Sequence, residues 1–291
     1  MRIWSGKRKK VRNLKEGACF VHGQNVRSFI LEHVGVPVET VEVLNHRGYL
    51  SLKVKTASET YKVAECESEA RALLAEKAIK AVACANGPVP GFISRSGCVI
   101  ICSWVYGNSC TIADLDTQTR HVLDCQEELY KTALPDQNDM PNTYVHLNSL
   151  LDRFSKVAPI VVSRPRIEEI INGFMQRLPE PGAARIIHPD LTPSNIVISD
   201  GRPVVIDNEA IAIGTGYEFD IWNAGEAIYG HRDTKRIRRY VDQFHERCPI
   251  PSLFEYQSVW DDFRRLRRAM KAIEKKRLFK ARRMIKQIGK T

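Results

Sequence analysis

Apolar and polar residues alternate over residues 38–44 (VETVEVL), 49–56 (YLSLKVKT) and 59–65 (ETYKVAE). A period of two sends successive side chains to opposite faces, so the three runs predict strands of a half-buried sheet. Turn signals at Asn45-His46-Arg47-Gly48 and Ala57-Ser58 separate them. Residues 66–83 (CESEARALLAEKAIKAVA) are helix formers, with Leu73, Ala78 and Ile79 marking a buried stripe. Asn86-Gly87-Pro88 stops that helix. An apolar run over 98–105 predicts a further strand, closed by Tyr106-Gly107-Asn108. Beyond it the periodicity turns helical at 117–132, 147–154 and 167–178. A short strand pair, NIVISD and RPVVIDN, then flanks Asp200-Gly201, and from Phe219 the chain is mostly helical. A small β-rich half thus precedes a larger helical half, with the boundary near residues 104–110.

Composition narrows the class without naming an activity. A chain of 291 residues can bury an ample core as one large or two-lobed domain, and 43% hydrophobic with 27% charged residues is ordinary for globular proteins. No run approaches the roughly 18 apolar residues that cross a bilayer, and the basic start has no apolar signal core. The expected location is the cytoplasm. Eight cysteines without a Cys-x-x-Cys pair are expected to be reduced, and no zinc spacing occurs. Charge is uneven: residues 1–15 carry +7 and residues 260–291 carry +10, so the rest is −7 within a net +10. The termini, rather than the whole surface, are set to meet anions.

The chemistry-bearing stretch is ARIIHPDLTPSNIVISDGRPVVIDNEAIAIGTGYEFDIWNAG, residues 184–225. His188-Pro189-Asp190 is followed by Asn195, then by Asp207 at the end of an apolar strand, then by Asp220. A lone His-x-Asp is common in loops, Asn195 alone could cap a turn, and Asp207 alone would be a strand-end residue. In this order and spacing they resemble the catalytic segment of the aminoglycoside phosphotransferase and choline kinase superfamily. That segment usually reads His-Gly-Asp, four residues, Asn, then Ile-Asp. Here Pro189 replaces the common glycine and Thr192 the frequent histidine. The match is specific over Arg185 to Asp220 and diffuse elsewhere.

The resemblance implies an α+β, bilobal, protein kinase-like fold. A nucleotide-binding lobe would span 1–104 and a catalytic, acceptor-binding lobe 105–291. It implies an ATP-dependent phosphotransferase with Mg2+ as its metal. Phosphoryl transfer needs an oriented hydroxyl and neutralised phosphates, and Asp190 is the expected hydroxyl-orienting or proton-accepting group. Magnesium takes oxygen ligands and keeps several waters, so one amide oxygen and one carboxylate suffice; Asn195 and Asp207 match those ligands. His188 and Asp220 are expected to support the loop structurally, and a contact of Glu209 with a second metal stays open. In the first half, Lys62 paired with Glu69 is the expected phosphate-holding couple, with Lys53 as rival. Residues 102–105 would form the hinge, with Ser103 and Val105 offering backbone groups to adenine and Trp104 equally suited to the core. The loop before the second strand holds a single glycine, Gly48.

Twelve residues separate Asp207 from Asp220 and no Ala-Pro-Glu follows, so a protein substrate would lack its platform. The expected acceptor is a hydroxyl of a small molecule or glycan, of sugar, amino alcohol or aminoglycoside type, in a pocket built by 117–180. Residues 263–288 combine apolar spacings of three and four with many Lys and Arg. Three readings of this tail stay open: a packed helix with a solvated basic face, a peripheral contact of 260–291 with an anionic membrane at its inner face, or nucleic acid. The last lacks an aromatic stacking set. Two rival functions are a catalytically weak kinase-shaped binding protein docking through its basic ends, and a protein kinase.

Overall fold

The computed structural model describes residues 20–21, 24–45, 50–134 and 144–289. The basic arm at 1–15 and Gly48 with its turn lie outside the described residues. The chain divides into two compact units, Met1–Glu76 with Pro90–Trp104 and Lys77–Val89 with Val105–Thr291.

The first unit opens with a short ribbon, β1 (Phe20–Val21) and β2 (Gln24–Asn25), followed by α1 (Val26–Val34). Asn25 caps α1 by accepting a 2.9 Å hydrogen bond from Arg27 N–H, and Gly35 ends it with φ 79°. Next come β3 (Val38–Asn45), β4 (Ser51–Thr56), β5 (Thr60–Glu65), α2 (Glu69–Cys84, of which the part from Lys77 is assigned to the second unit), β6 (Phe92–Ser96) and β7 (Val99–Ser103). The strands form an antiparallel sheet in the order β3-β4-β5-β7-β6. The predicted alternation is what builds it: Leu52, Val54, Val63 and Ile101 bury one set of side chains with Phe29 and Ile30 of α1. Lys53 lies directly across from Lys62, and Lys62 from Cys102, so these three share one face. The buried stripe of α2 is Ala72, Ala75, Ala78, Ile79 and Val82, whereas Leu73 is 39% exposed. Small residues at spacings of three and four set this stripe, which corrects the inclusion of Leu73.

The second unit holds β8 (Asn108–Ser109), α3 (Leu115–Lys131), α4 (Val145–Val157), α5 (Arg164–Arg177), β9 (Arg185–Ile187), β10 (Ile196–Ser199), β11 (Arg202–Val205) and β12 (Ala212–Gly214). After them come α6 (Tyr217–Tyr229), α7 (Thr234–Arg247), α8 (Ser252–Glu255), α9 (Gln257–Glu274) and α10 (Leu278–Ile285). The predicted hairpin forms, with Ile196 opposite Val205, and β8 adds to its other edge. β9 pairs with β12, which joins the chain before His188 to the chain before α6. α6 is buried continuously from Glu218 to Gly225 and forms the axis of the unit. The Trp222 indole donates to Leu253 carbonyl (3.0 Å), the Trp260 indole to Ser252 carbonyl (3.1 Å), and Phe174 stacks on Phe263 with centroids 4.2 Å apart. No described helix is long and apolar enough to cross a membrane, and the cysteines in the described residues are free.

Two positions test this packing. Gly107 has φ 151°, and a Cβ there would lie 2.2 Å from the Ile198 carbonyl oxygen. Gly107→Ala should therefore destabilise the protein by roughly 1–3 kcal/mol in urea unfolding, from backbone strain at the β8–β10 edge. In the first turn of α6, Ser252 Oγ donates to one oxygen of buried Glu218, while the other oxygen has no partner among the described residues. Burial pushes the Glu218 carboxyl above its ordinary value of 4.5, against the smaller opposing effect of that hydrogen bond. A raised value in the folded state means stability is complete below the unfolded value and falls as the pH climbs through the folded one. Glu218→Gln keeps an oxygen for Ser252 and should flatten that fall in Tm measured from acid to neutral pH.

Candidate active site

β9 delivers the chain to His188, whose ring is buried and bonds through Nε2 to the Asp207 carbonyl oxygen at 3.1 Å. A carbonyl can only accept, so this nitrogen carries the proton. Burial pushes the imidazole below its ordinary value despite the nearby Asp207 and Asp190 carboxylates, and the ring is held neutral. Leu191 N–H returns to the His188 carbonyl (3.1 Å), closing a turn that carries Asp190. From α6, Asn223 Nδ2 donates to the buried Pro189 carbonyl (3.0 Å) and holds the loop from beneath. Asp220 is buried one turn earlier on α6, beside His188 in the wall of a cavity of about 20 Å³.

Pro193 opens the single turn that ends at Asn195. The Asn195 side-chain amide donates to the Asp190 carbonyl (2.9 Å) and reaches Asp207 Oδ2 (3.4 Å). With both contacts on Nδ2, the Asn195 Oδ1 oxygen is left without a bond among the described residues. Ile206 N–H donates to the Asn195 backbone carbonyl (2.9 Å), so the strand leading into Asp207 is tied to the residue that Asp207 faces. Asp190, Asn195 and Asp207 therefore meet in one loop cluster. The described residues contain no group of three His, Cys, Asp or Glu able to hold a metal. An amide oxygen beside a carboxylate is instead the sparse oxygen set that suits magnesium. Glu209 lies in the turn Asn208–Ala210 just after it.

Sequence reasoning missed two partners of this loop. Arg267 of α9 pairs with Asp190 Oδ1 through one nitrogen and with Asn223 Oδ1 through another. Burial works against ionisation of Asp190, but the charge and hydrogen bond of Arg267, aided by Lys271, outweigh it and hold the carboxyl below its ordinary value. The Asp190 side chain remains 44% exposed. The apolar spacing of the tail predicted α9 correctly, burying Phe263, Leu266, Met270 and Ile273. Its basic residues are not all solvated, however. The side chains of Arg264, Arg265, Arg267 and Arg268 are only 11–25% exposed and pair with Glu226, Asp261, Asp262 and Asp190. Glu226 on α6 and Asp190 in the loop pair with them from outside the helix, and Asp261 and Asp262 from within it. The reading of a wholly solvated basic face is corrected, and no structural observation supports the membrane contact.

In the first unit, Lys62 stands half-buried on β5, and the Lys53 ammonium lies 4.5 Å from the centre of the Trp104 ring. The expected Lys62–Glu69 couple does not form. Glu69, 74% exposed at the start of α2, turns to Arg95 (3.5 Å), because that guanidinium is anchored on Glu76 at 2.6 Å within reach of it. Ser103 N–H donates to Gly91 carbonyl and Trp104 N–H to Thr60 carbonyl, both at 2.9 Å, because the sheet ladder runs to this point. Val105 is the next residue beyond those bonds.

No family model and no curated protein matches the chain. Solved structures do. The choline kinase LicA from Streptococcus pneumoniae superposes with a TM-score of 0.61 at 13% identity, covering 91% of this chain and 98% of that one. A thermostable mutant of aminoglycoside phosphotransferase APH(4)-Ia gives 0.58 at 13% identity, with 91% and 100% covered. The same enzyme in a ternary complex with ADP and hygromycin B gives 0.57 at 14%, with 90% and 97% covered. The chain thus has the protein kinase-like fold of these small-molecule phosphotransferases.

The Arg267 contact predicts a titration. In Arg267→Gln, which keeps a donor toward Asn223, the Asp190 carboxyl should titrate at higher pH than in the parent protein. Carbon-13 NMR of labelled aspartates reads the shift; an unchanged midpoint would show that the guanidinium does not act on Asp190.

Proposed function

We propose that the chain is an ATP-dependent phosphotransferase that moves the γ-phosphate to a hydroxyl of a small molecule or glycan. The observation that carries this reading is the meeting of Asp190, the free Asn195 Oδ1 and Asp207 in one clamped loop cluster. Asp190 orients the acceptor hydroxyl and takes its proton as the new O–P bond forms and the bond to ADP breaks. Asn195 Oδ1 and the Asp207 carboxylate would hold Mg2+, which would supply charge neutralisation at the phosphates. His188 fixes the Asp207 backbone, and Asn223 fixes Pro189, so the reacting groups need little reorganisation. Lys62, half-buried on β5, is the proposed phosphate-holding lysine.

The depressed Asp190 carboxyl suits a loose transition state, in which the hydroxyl is positioned more than it is deprotonated in advance. The acceptor classes to try first are sugars, amino alcohols and aminoglycosides, scored by acceptor-dependent ADP release.

Asp190→Ala should lower kcat by on the order of 10²–10⁴ while magnesium-ATP still binds. Asp207→Ala should lose magnesium-dependent nucleotide binding, measured by fluorescence with a nucleotide analogue. Unchanged turnover in Asp190→Ala would sink the assignment. Nucleotide binding without transfer to any acceptor would favour the kinase-shaped binding protein, and transfer to peptides the protein kinase.

A further inference from the structure

The cations around Asp190 exceed what the loop itself can neutralise. Arg264, Arg267, Arg268 and Lys271 follow one another at helical spacings of three and four, so they form a single stripe on α9. Glu226 of α6 is shared by Arg268 (3.0 Å) and Arg264 (3.4 Å), and Asp261 takes Arg264 as well. Asp262 is occupied by Arg177 (2.9 Å) and Arg265 (2.8 Å). Arg267 and Lys271 are left facing the single carboxylate of Asp190.

The two cations differ in how they are held. Arg267 is fixed: its fork spans Asn223 Oδ1 and Asp190 Oδ1, and Asn223 is itself anchored on the Pro189 carbonyl. Lys271, one turn further along, is exposed, and its ammonium forms no ion pair among the described residues. Partial desolvation of that ammonium and the neighbouring Arg267 charge both work against its protonated form, with the Asp190 and Glu226 carboxylates opposing them. Two crowded cations beside a half-exposed carboxylate are stabilised when an anion arrives between them. Asp190 meets Arg267 through Oδ1 and leaves Oδ2 without a bond among the described residues, so the hydroxyl and the anion do not compete for one atom.

We propose that the hydroxyl served by Asp190 belongs to an anionic molecule whose phosphate or carboxylate group, a few bonds away, is held by Arg267 and Lys271. This inference rests on the phosphotransferase reading for the word acceptor, while the anion site itself does not. Arg267, whose terminal nitrogens are held by Asn223 and Asp190, supplies a fixed positive charge, and Lys271 supplies a mobile point charge. Recognition by charge at this place ranks anionic sugars ahead of the amino alcohols and aminoglycosides among the proposed acceptors, because a positive group near the hydroxyl would meet two like charges.

Two measurements on the full chain separate the claims. In the first, inorganic phosphate is titrated calorimetrically without nucleotide. Asp190→Ala, which frees Arg267, should bind it at least about tenfold more tightly than the parent protein, and adding Lys271→Met should reverse the gain. Equal phosphate binding in all three proteins would overturn the inference. In the second, matched acceptors, glucose, glucosamine and glucuronate, are compared for ADP release with magnesium-ATP. The anionic member should give the highest kcat/KM, and Lys271→Met should raise the KM for acceptor at least about fivefold with the KM for ATP unchanged. A preference for the neutral or cationic sugar, or a rise in the KM for ATP alone, overturns the anionic acceptor. Phosphate binding as expected, with no transfer to any sugar, supports the anion site and counts against the phosphotransferase reading instead.

Discussion

The contact on which the candidate site's geometry depends is the hydrogen bond between the buried His188 ring and the Asp207 carbonyl. It joins two segments that leave separate strands, one after β9 and one after β11, and it does so where water cannot compete. A neutral imidazole is required, because a charged ring would be buried at high cost; burial supplies that neutrality by depressing the ring's proton affinity. Once this bond is made, Asn195 needs only its side-chain amide to reach both Asp190 and Asp207. Three oxygen-bearing groups are then positioned by backbone geometry rather than by loose side chains.

α6 and α9 extend the same constraint outward. Asn223 on α6 supports Pro189 and in turn carries Arg267 of α9, which grips Asp190. A basic helix whose sequence looks built for solvent is thereby wired into the loop that carries Asp190. Its apolar side packs on Phe174 and Phe219, and its arginines are consumed by Glu226, Asp261 and Asp262 before any surface partner can use them. The exposed cations begin at Lys271 and run to Lys286.

The first unit shows what strand pairing alone can arrange. Lys53 and Lys62 share a face because they are cross-strand neighbours, and Trp104 settles against the first of them. Arg95, placed by β6, holds both Glu69 and Glu76 of α2.

Local pattern determined much of this protein. Period-two runs set the sheet strands, the apolar stretches around Asp200-Gly201 set the β10–β11 hairpin, and the spacing from His188 to Asp207 marked the candidate site. These features depend on residues near one another in the chain, so periodicity and turn chemistry reveal them. α1 was missed although Asn25 and Gly35 bracket it, since its apolar face is short. Tertiary structure alone decided that Asn223 and Arg267 serve the Asp190 loop, that Glu69 belongs to Arg95, and that the α9 arginines turn inward. Each of these is a pairing between charges or amides far apart in sequence, and helical periodicity specifies a face without specifying which carboxylate will stand opposite it.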